Sequence, residues 1–215
     1  MKIVAVVPIK LNNSRLPGKN IKLLSNKPLI SYILEKLNSC KNIDKIFVFC
    51  SDDKIIPYLK NKAVFLKRDK KLNSDSTNFS EIFDSFRKKI NADIYVYAHA
   101  TSPLLKSPSI EECIKKVRTG NYDSAFTAKR IQTFAWIDGK PNYNLKKLPR
   151  TQDLKPILIE TSGVYVFKKE VFDKYHTRIG KKPYIHIVSD EEGVDVDEQK
   201  DFDFAQYLLH NKKTI

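Results

Sequence analysis

The chain has 215 residues, 41% of them hydrophobic and 11% aromatic, which is enough apolar material for one packed domain and too much for a disordered chain. Its 39 Lys and Arg against 25 Asp and Glu leave a net charge of +14, a field that favours nucleic acid, anionic lipid or small phosphorylated substrates without choosing among them. Cys40, Cys50 and Cys113 form no CxxC pair, which argues against a thiolate zinc site or a disulfide framework and for a reducing, cytoplasmic setting.

Taken in chain order, "KIVAVVP" (2–8) reads as a buried strand rather than a signal peptide. "PLISYILEKLNS" (28–39) puts Leu29, Ile33 and Leu37 on one helical face, with Pro at the helix start. Strand "DKIFVFC" (44–50), a short helix near 53–60 and strand "AVFLK" (63–67) follow. Helix "FSEIFDSFRKKI" (79–90), strand "DIYVYAH" (93–99) and helix "SIEECIKKV" (109–117) continue the alternation. Strands apolar on both faces, alternating with amphipathic helices, predict a mostly parallel sheet covered on each side. After about Tyr122 the rhythm changes to "SAFTAKRI", "TFAWIDGKPNYN" and "ILIETSGVYVF", an antiparallel excursion with Asp138-Gly139 as a hairpin turn. A helix "KKEVFDKY", a strand near 184–188 and a helix over 198–209 complete one domain. No stretch approaches the length that spans a bilayer, so no membrane partner is expected.

The six glycines lie at least thirteen residues apart, which removes both the GxGxxG fingerprint and the GxxxxGK[ST] phosphate loop. Yet the segment after the first strand of such a sheet is where nucleotides bind. Lys10, Arg15, Lys19 and Lys22 gather four cations there, and Pro17-Gly18 turns the chain so that backbone amides can face outward. Taken alone, these residues fit either a triphosphate cradle or a solvated basic loop.

The longer string "VVPIKLNNSRLPGKNIKLLSNKPLISYILEKL" resembles the opening of cytidylyltransferases that activate acidic sugars, the CMP-sialic acid (acylneuraminate) synthetases and their CMP-Kdo relatives. The matching pieces are Pro8-Ile9-Lys10, Pro17-Gly18-Lys19 and Asn26-Lys27-Pro28-Leu29-Ile30. "SDSTNFSEIF", "YAHATSPLL", "RTQDL", "SGVYVF" and "VDVDEQKDFDFAQ" match further segments in order, so the likeness covers almost the whole chain. It implies a three-layer Rossmann-like nucleotidyltransferase fold with a small antiparallel dimerisation excursion at about 131–160, hence a homodimer. It implies transfer of CMP from CTP to an acidic 2-keto sugar, with pyrophosphate leaving, for surface glycan synthesis.

The same resemblance distributes the roles. Lys19 and Arg15 neutralise the triphosphate and the transferring group, with Lys10, Asn12 and Ser14 also at the nucleotide; Arg68, Ser76 and Ser80 fall where base and ribose are read. His99 and Thr101 lie in the acceptor region, His99 where relatives often have Gln; it reads equally as a hydrogen-bonded histidine at a strand end. Arg150 and Gln152 meet the acceptor carboxylate, unless Arg150 simply pairs with Asp153. Asp195 and Asp197, two apart in an extended segment, point to one side; by resemblance they hold Mg2+, with Asp197 also catalytic. Trp136 is left as core or subunit contact. Lys10, Leu11-Asn12-Asn13 and Thr161-Ser162-Gly163 depart from the family's pattern, which leaves open a different acceptor such as a sugar 1-phosphate, or a non-catalytic binding module. No nucleic-acid motif is present, so no nucleic-acid partner is expected.

Overall fold

The computed structural model of the chain describes residues 1–211. Strand β1 (Ile3–Ile9) is buried along almost its whole length, so both faces must be apolar. Ile3, Ala5, Val7 and Ile9 enter one hydrophobic cluster, and Val4 and Val6 enter another on the opposite face. This period of two separates the covering layers.

A two-residue hairpin, β2 (Leu23–Leu24) with β3 (Lys27–Pro28), leads into helix α1 (Leu29–Ser39). Strand β4 (Lys45–Cys50) pairs parallel to β1, and β5 (Val64–Lys67) pairs parallel to β4. The short helix expected between them is 3-10 over Asp53–Tyr58, with Pro57 inside it. Helix α2 (Phe79–Arg87) starts in a capping box in which the Asn78 side chain accepts from the Glu81 N–H and Glu81 returns the bond. Strand β6 (Ile94–Ala98) lies on the other side of β1, followed by α3 (Ser107–Arg118) with a proline in its first turn. Helices α1 and α3 cover one face, while α2 and α4 (Lys169–Tyr175) cover the other, giving the expected three layers.

Strand β7 (Ser124–Ile131), hairpin strands β8 (Trp136–Ile137) and β9 (Lys140–Pro141), strand β10 (Ile157–Lys168), strand β11 (Pro183–Ile187) and helix α5 (Gln199–Asn211) complete the order. The sheet has seven strands in the order β11-β7-β10-β6-β1-β4-β5, and β10 alone is antiparallel to its neighbours. The mostly parallel sheet is therefore as expected, but "GVYVF" is more than part of an excursion: Val164 to Lys168 form a central strand between β6 and β7. A doubly buried apolar run looks the same whichever way its neighbours point, so the sequence hid this.

The excursion itself is the first half of β10 paired with the end of β7, Ile157 opposite Ile131 and Glu160 opposite Ala128. A register shift between Glu160 and Tyr165, with Ser162 at φ 59, separates this arm from the sheet. At the β8–β9 turn Asp138 and Gly139 have φ 50 and 72, as a two-residue hairpin of right-handed twist requires. Trp136 is 60% exposed on the arm, so it is no core residue.

Phe83 is fully buried at the centre of an aromatic group, its ring 4.9 Å from Tyr95, 5.0 Å from Phe167 and 4.7 Å from Phe172. Phe83→Ala is expected to cost about 3–5 kcal/mol in urea unfolding, the range for emptying a buried aromatic site. A loss under about 1 kcal/mol would mean that this layer is not the packed core it is taken to be.

Candidate active site

The carboxyl ends of β1, β5 and β6 open into a cleft of about 320 Å³. Its walls are Lys10, Asn13, Lys19 and Asn20 after β1, Arg68, Ser74, Asp75 and Thr77 after β5, and Tyr97, His99 and Thr101 at β6. From β1 the chain goes first to β4 and β5 on one side and then crosses to β6 on the other, so the cleft sits at the point where the sheet switches sides.

The loop after β1 is built to present charge. Gly18 takes φ 66, a conformation that favours glycine, and its N–H donates to the Leu11 carbonyl at 3.2 Å, closing the loop on itself. The N–H groups of Lys19, Ile21 and Lys22 also stay inside the loop. The amides expected to face outward are therefore not those of the Pro17-Gly18 turn; among the described residues, those of 12–16 have no acceptor. The Asn20 side chain donates to the Lys10 carbonyl at 2.9 Å, pinning the start of the loop.

Lys19 is 7% exposed, and its ammonium donates to the Val196 carbonyl at 2.8 Å and to Asp197 Oδ1 at 2.9 Å. Arg15 holds Asp197 Oδ2 at 2.9 Å from the solvent side. Burial pushes the Asp197 carboxyl up, but Lys19 and Arg15 more than offset this and leave it below the ordinary aspartate range. Asp195 behaves oppositely: burial raises it, a Thr101 hydrogen bond opposes the rise, and the Asp197 charge adds to it. One Asp195 oxygen is buried without a partner. Val194 and Val196 both pack into the cluster with Leu16, Leu29 and Phe202, so the alternating aspartates face away from it; Asp197 meets the loop, while Asp195 lines a neighbouring hollow with Lys129, Thr161 and Asp201.

Arg68 is 3% exposed, and desolvation lowers its pKa; one nitrogen donates to Asn73 at 2.7 Å while its Nε has no partner. His99 has a buried Nε2, also without a partner. Burial, reinforced by the nearby Arg178 charge, pulls its pKa down to about 4, so it is neutral at pH 7.

Lys10, Lys19, Arg68, His99 and Thr101 thus meet in one cleft, with Arg15, Asp195 and Asp197 joined to it through Lys19 and Thr101. Asn12 and Ser14 are exposed on the outer loop and do not line it. Ser76 bonds Ser74, and Ser80 donates to the His176 carbonyl, so Ser74 and Thr77 stand where those two serines were expected. Arg150 and Gln152 lie on the exposed arm; Arg150 holds both oxygens of Asp153, at 2.8 and 3.1 Å, which is the local pairing that its spacing also allowed. Asn20, Tyr97 and Asp75, the partner of Lys10, were not anticipated. Only Asn20 carried a signal, as the residue next to Lys19 in "PGKN".

Between about pH 6.5 and 4 the unfolded chain protonates His99 and the folded chain does not, so stability falls as pH falls through that window. His99→Gln removes this contribution. Melting temperatures at pH 7, 6, 5 and 4 should show the variant losing less stability than the wild type on acidification. Parallel curves would place His99 in water.

The cytidylyltransferase profile matches residues 4–187, and the chain belongs to that family. It is 26% identical over 215 residues to N-acylneuraminate cytidylyltransferase A of Danio rerio, covering 95% of this chain and 50% of the relative. With N-acylneuraminate cytidylyltransferase of Streptococcus agalactiae it shares 22% identity, covering 94% of this chain and 52% of the relative. The chain therefore spans about half the length of these curated relatives. The solved structure of CMP:2-keto-3-deoxy-manno-octonic acid synthetase complexed with CTP superposes at a TM-score of 0.75 and 18% identity, covering 99% of this chain and all of the other, which shows the fold.

Proposed function

We propose that this member of the cytidylyltransferase family transfers CMP from CTP to an acidic 2-keto sugar of the sialic-acid or Kdo type and releases pyrophosphate. The observation that carries the reading is Lys19, a desolvated cation fixed at the floor of a cleft at the sheet's switch point. The names of the relatives supply the nucleotide and the acceptor class.

In the reaction the anomeric oxygen bonds to the α-phosphorus as the bond to the bridging oxygen breaks, the hydroxyl proton is released and pyrophosphate departs. Lys19 and Arg15 neutralise the phosphates and the charge that grows on the leaving group, and Lys10 stands at the same mouth. The unpaired amides of 12–16, Asn12 and Ser14 among them, are donors that a phosphate entering beside Asn13 could use. Arg68 sits at the far wall, toward base and ribose, with Ser76 and Ser80 behind the segment that lines it. Thr101 and His99 border the acceptor side.

Asp195 and Asp197 are the residues we assign to Mg2+. A buried carboxylate oxygen without a partner, beside a second carboxylate, suits an ion that takes one or two carboxylates plus phosphate oxygens and water. Among the described residues no group of three or more His, Cys, Asp or Glu is suited to a metal, so the triphosphate and water must complete the shell. When bound, the ion supplies charge neutralisation at the phosphates.

We further propose a homodimer joined through 131–160. Trp136, Ile137, Leu145, Leu148, Leu158 and Ile159 are all exposed on the arm, an apolar set that water disfavours. Arg150 and Gln152 do not line the cleft of their own chain, so a role for them at an acceptor requires a second copy. No helix among the described residues is long and apolar enough to cross a membrane. All three cysteines are buried and free, with burial pushing Cys40 and Cys113 to about 12, which suits the cytoplasm.

The test is pyrophosphate release from CTP with magnesium and a panel of acidic keto sugars. The expected product is the CMP-sugar acid, and Asp197→Asn should lower kcat about 100-fold or more with an unchanged far-UV spectrum. Turnover with a sugar 1-phosphate alone, or salt-sensitive nucleic-acid binding without turnover, would replace the reading. In sedimentation, Trp136→Glu with Leu148→Glu should convert a dimer to a monomer; a wild-type monomer at tens of micromolar would refute the interface.

A further inference from the structure

The loop between α4 and β11 brings a cation, unused by the reading above, beside two residues of the cleft, Tyr97 and His99. The guanidinium of Arg178 lies on the Tyr165 ring, its Cζ 3.6 Å from the centroid, with Phe79 at 5.3 Å and Tyr97 at 6.0 Å. Arg15, Arg87 and Arg150 each hold an aspartate. Arg178 has neither an ion pair nor a hydrogen bond among the described residues. Glu160, five residues before that ring, already accepts from the Tyr165 hydroxyl at 2.6 Å. A half-buried guanidinium framed by aromatic rings and lacking an anion is a site for one.

Its position separates it from the phosphate cations. Tyr165 on β10 pairs in register with Tyr97 on β6, and β6 stands between β10 and β1. Lys10 and Lys19 come from the loop after β1, on one side of His99, while Arg178 comes over β10 on the other. The His99 ring lies 5.3 Å from Tyr97 and 6.4 Å from Tyr165, and its Nε2 is buried without a partner.

We infer that Arg178 is the anchor for the acceptor: its guanidinium, held flat by Tyr165, pairs with the carboxylate of the acidic sugar. The inference rests on the cytidylyl-transfer reading, which supplies an acceptor with that group. Stacking fixes the plane of the fork and leaves its N–H edges free, the geometry that a carboxylate fills with two parallel hydrogen bonds. Neutral His99 beside it is free to bond a sugar hydroxyl. Arg150 cannot serve within its own chain, because Asp153 already occupies its fork on the arm.

The experiment compares wild type, Arg178→Leu and Arg178→Lys, each checked for an unchanged melting temperature, with CTP and either an acidic keto sugar or its carboxamide. Arg178→Leu is expected to raise the acceptor KM some 10- to 100-fold, leave the CTP KM within about twofold, and erase the preference for acid over amide. Arg178→Lys should restore part of that preference. If the wild type makes the CMP-sugar acid and Arg178→Leu keeps both its acceptor KM and its acid preference, the anchor is refuted while the reaction stands. A rise in the CTP KM instead assigns Arg178 to a phosphate and equally overturns it. If the wild type accepts no acidic sugar but does use a sugar 1-phosphate, the proposed function fails and the carboxylate anchor fails with it.

Discussion

A buried ammonium ties the first loop of this protein to its last. The partners of Lys19 among the described residues are the Val196 carbonyl and Asp197, the carboxylate lying 178 residues further along the chain. An unpaired cation with 7% exposure would carry a desolvation penalty of several kcal/mol, so neither segment can take its place without the other. The contact accompanies the packing of Val194 and Val196 with Leu16, Leu24 and Leu29 and of α5 through Phe202 and Ala205, and holds Asp197 at the edge of the cleft beside Lys19. One interaction thus links the floor of the site, one of its carboxylates and the packing of the final helix.

The cleft balances its own charge. Lys10 is paired with Asp75, and Lys19 and Arg15 share Asp197, so the cations that a triphosphate needs are already held by carboxylates. Under the proposed reading, Lys10, Lys19 and Arg15 would hold the phosphates and Asp195 and Asp197 the Mg2+, so binding would exchange these pairs instead of creating new buried charge. This explains how a strongly basic protein keeps cationic residues close together at one mouth. Arg178 and Arg68 differ, since neither has a carboxylate partner. Arg68 lines the cleft, and Arg178 lies against Tyr165 beside it.

Much of this was legible in the sequence because it depends on local pattern. Doubly apolar strands, amphipathic helices, Pro at the start of α1 and the Asp138-Gly139 turn each follow from side-chain period or backbone preference. The gathering of Lys10, Arg15 and Lys19 after β1 is likewise local, and so is the alternation that buries Val194 and Val196 together in one cluster. What the sequence concealed is set by long-range geometry. The 3-10 turn over Lys70–Asn73 sets which of several hydroxyls face inward, so Ser74 and Thr77 replace Ser76 and Ser80. Arg150 is captured by a neighbour three positions away, while Arg178, thirteen residues beyond Tyr165, reaches its ring only because α4 turns the chain back.

The most direct measurement is a crystal structure with CTP and magnesium bound. The expected result has the Lys19 ammonium on a triphosphate oxygen, Asp195 and Asp197 on the metal, and the nucleoside along the Arg68 wall. A triphosphate bound elsewhere, with the Lys19–Asp197 pair intact and no metal at the two aspartates, would contradict the assignment of this cleft as the nucleotide site.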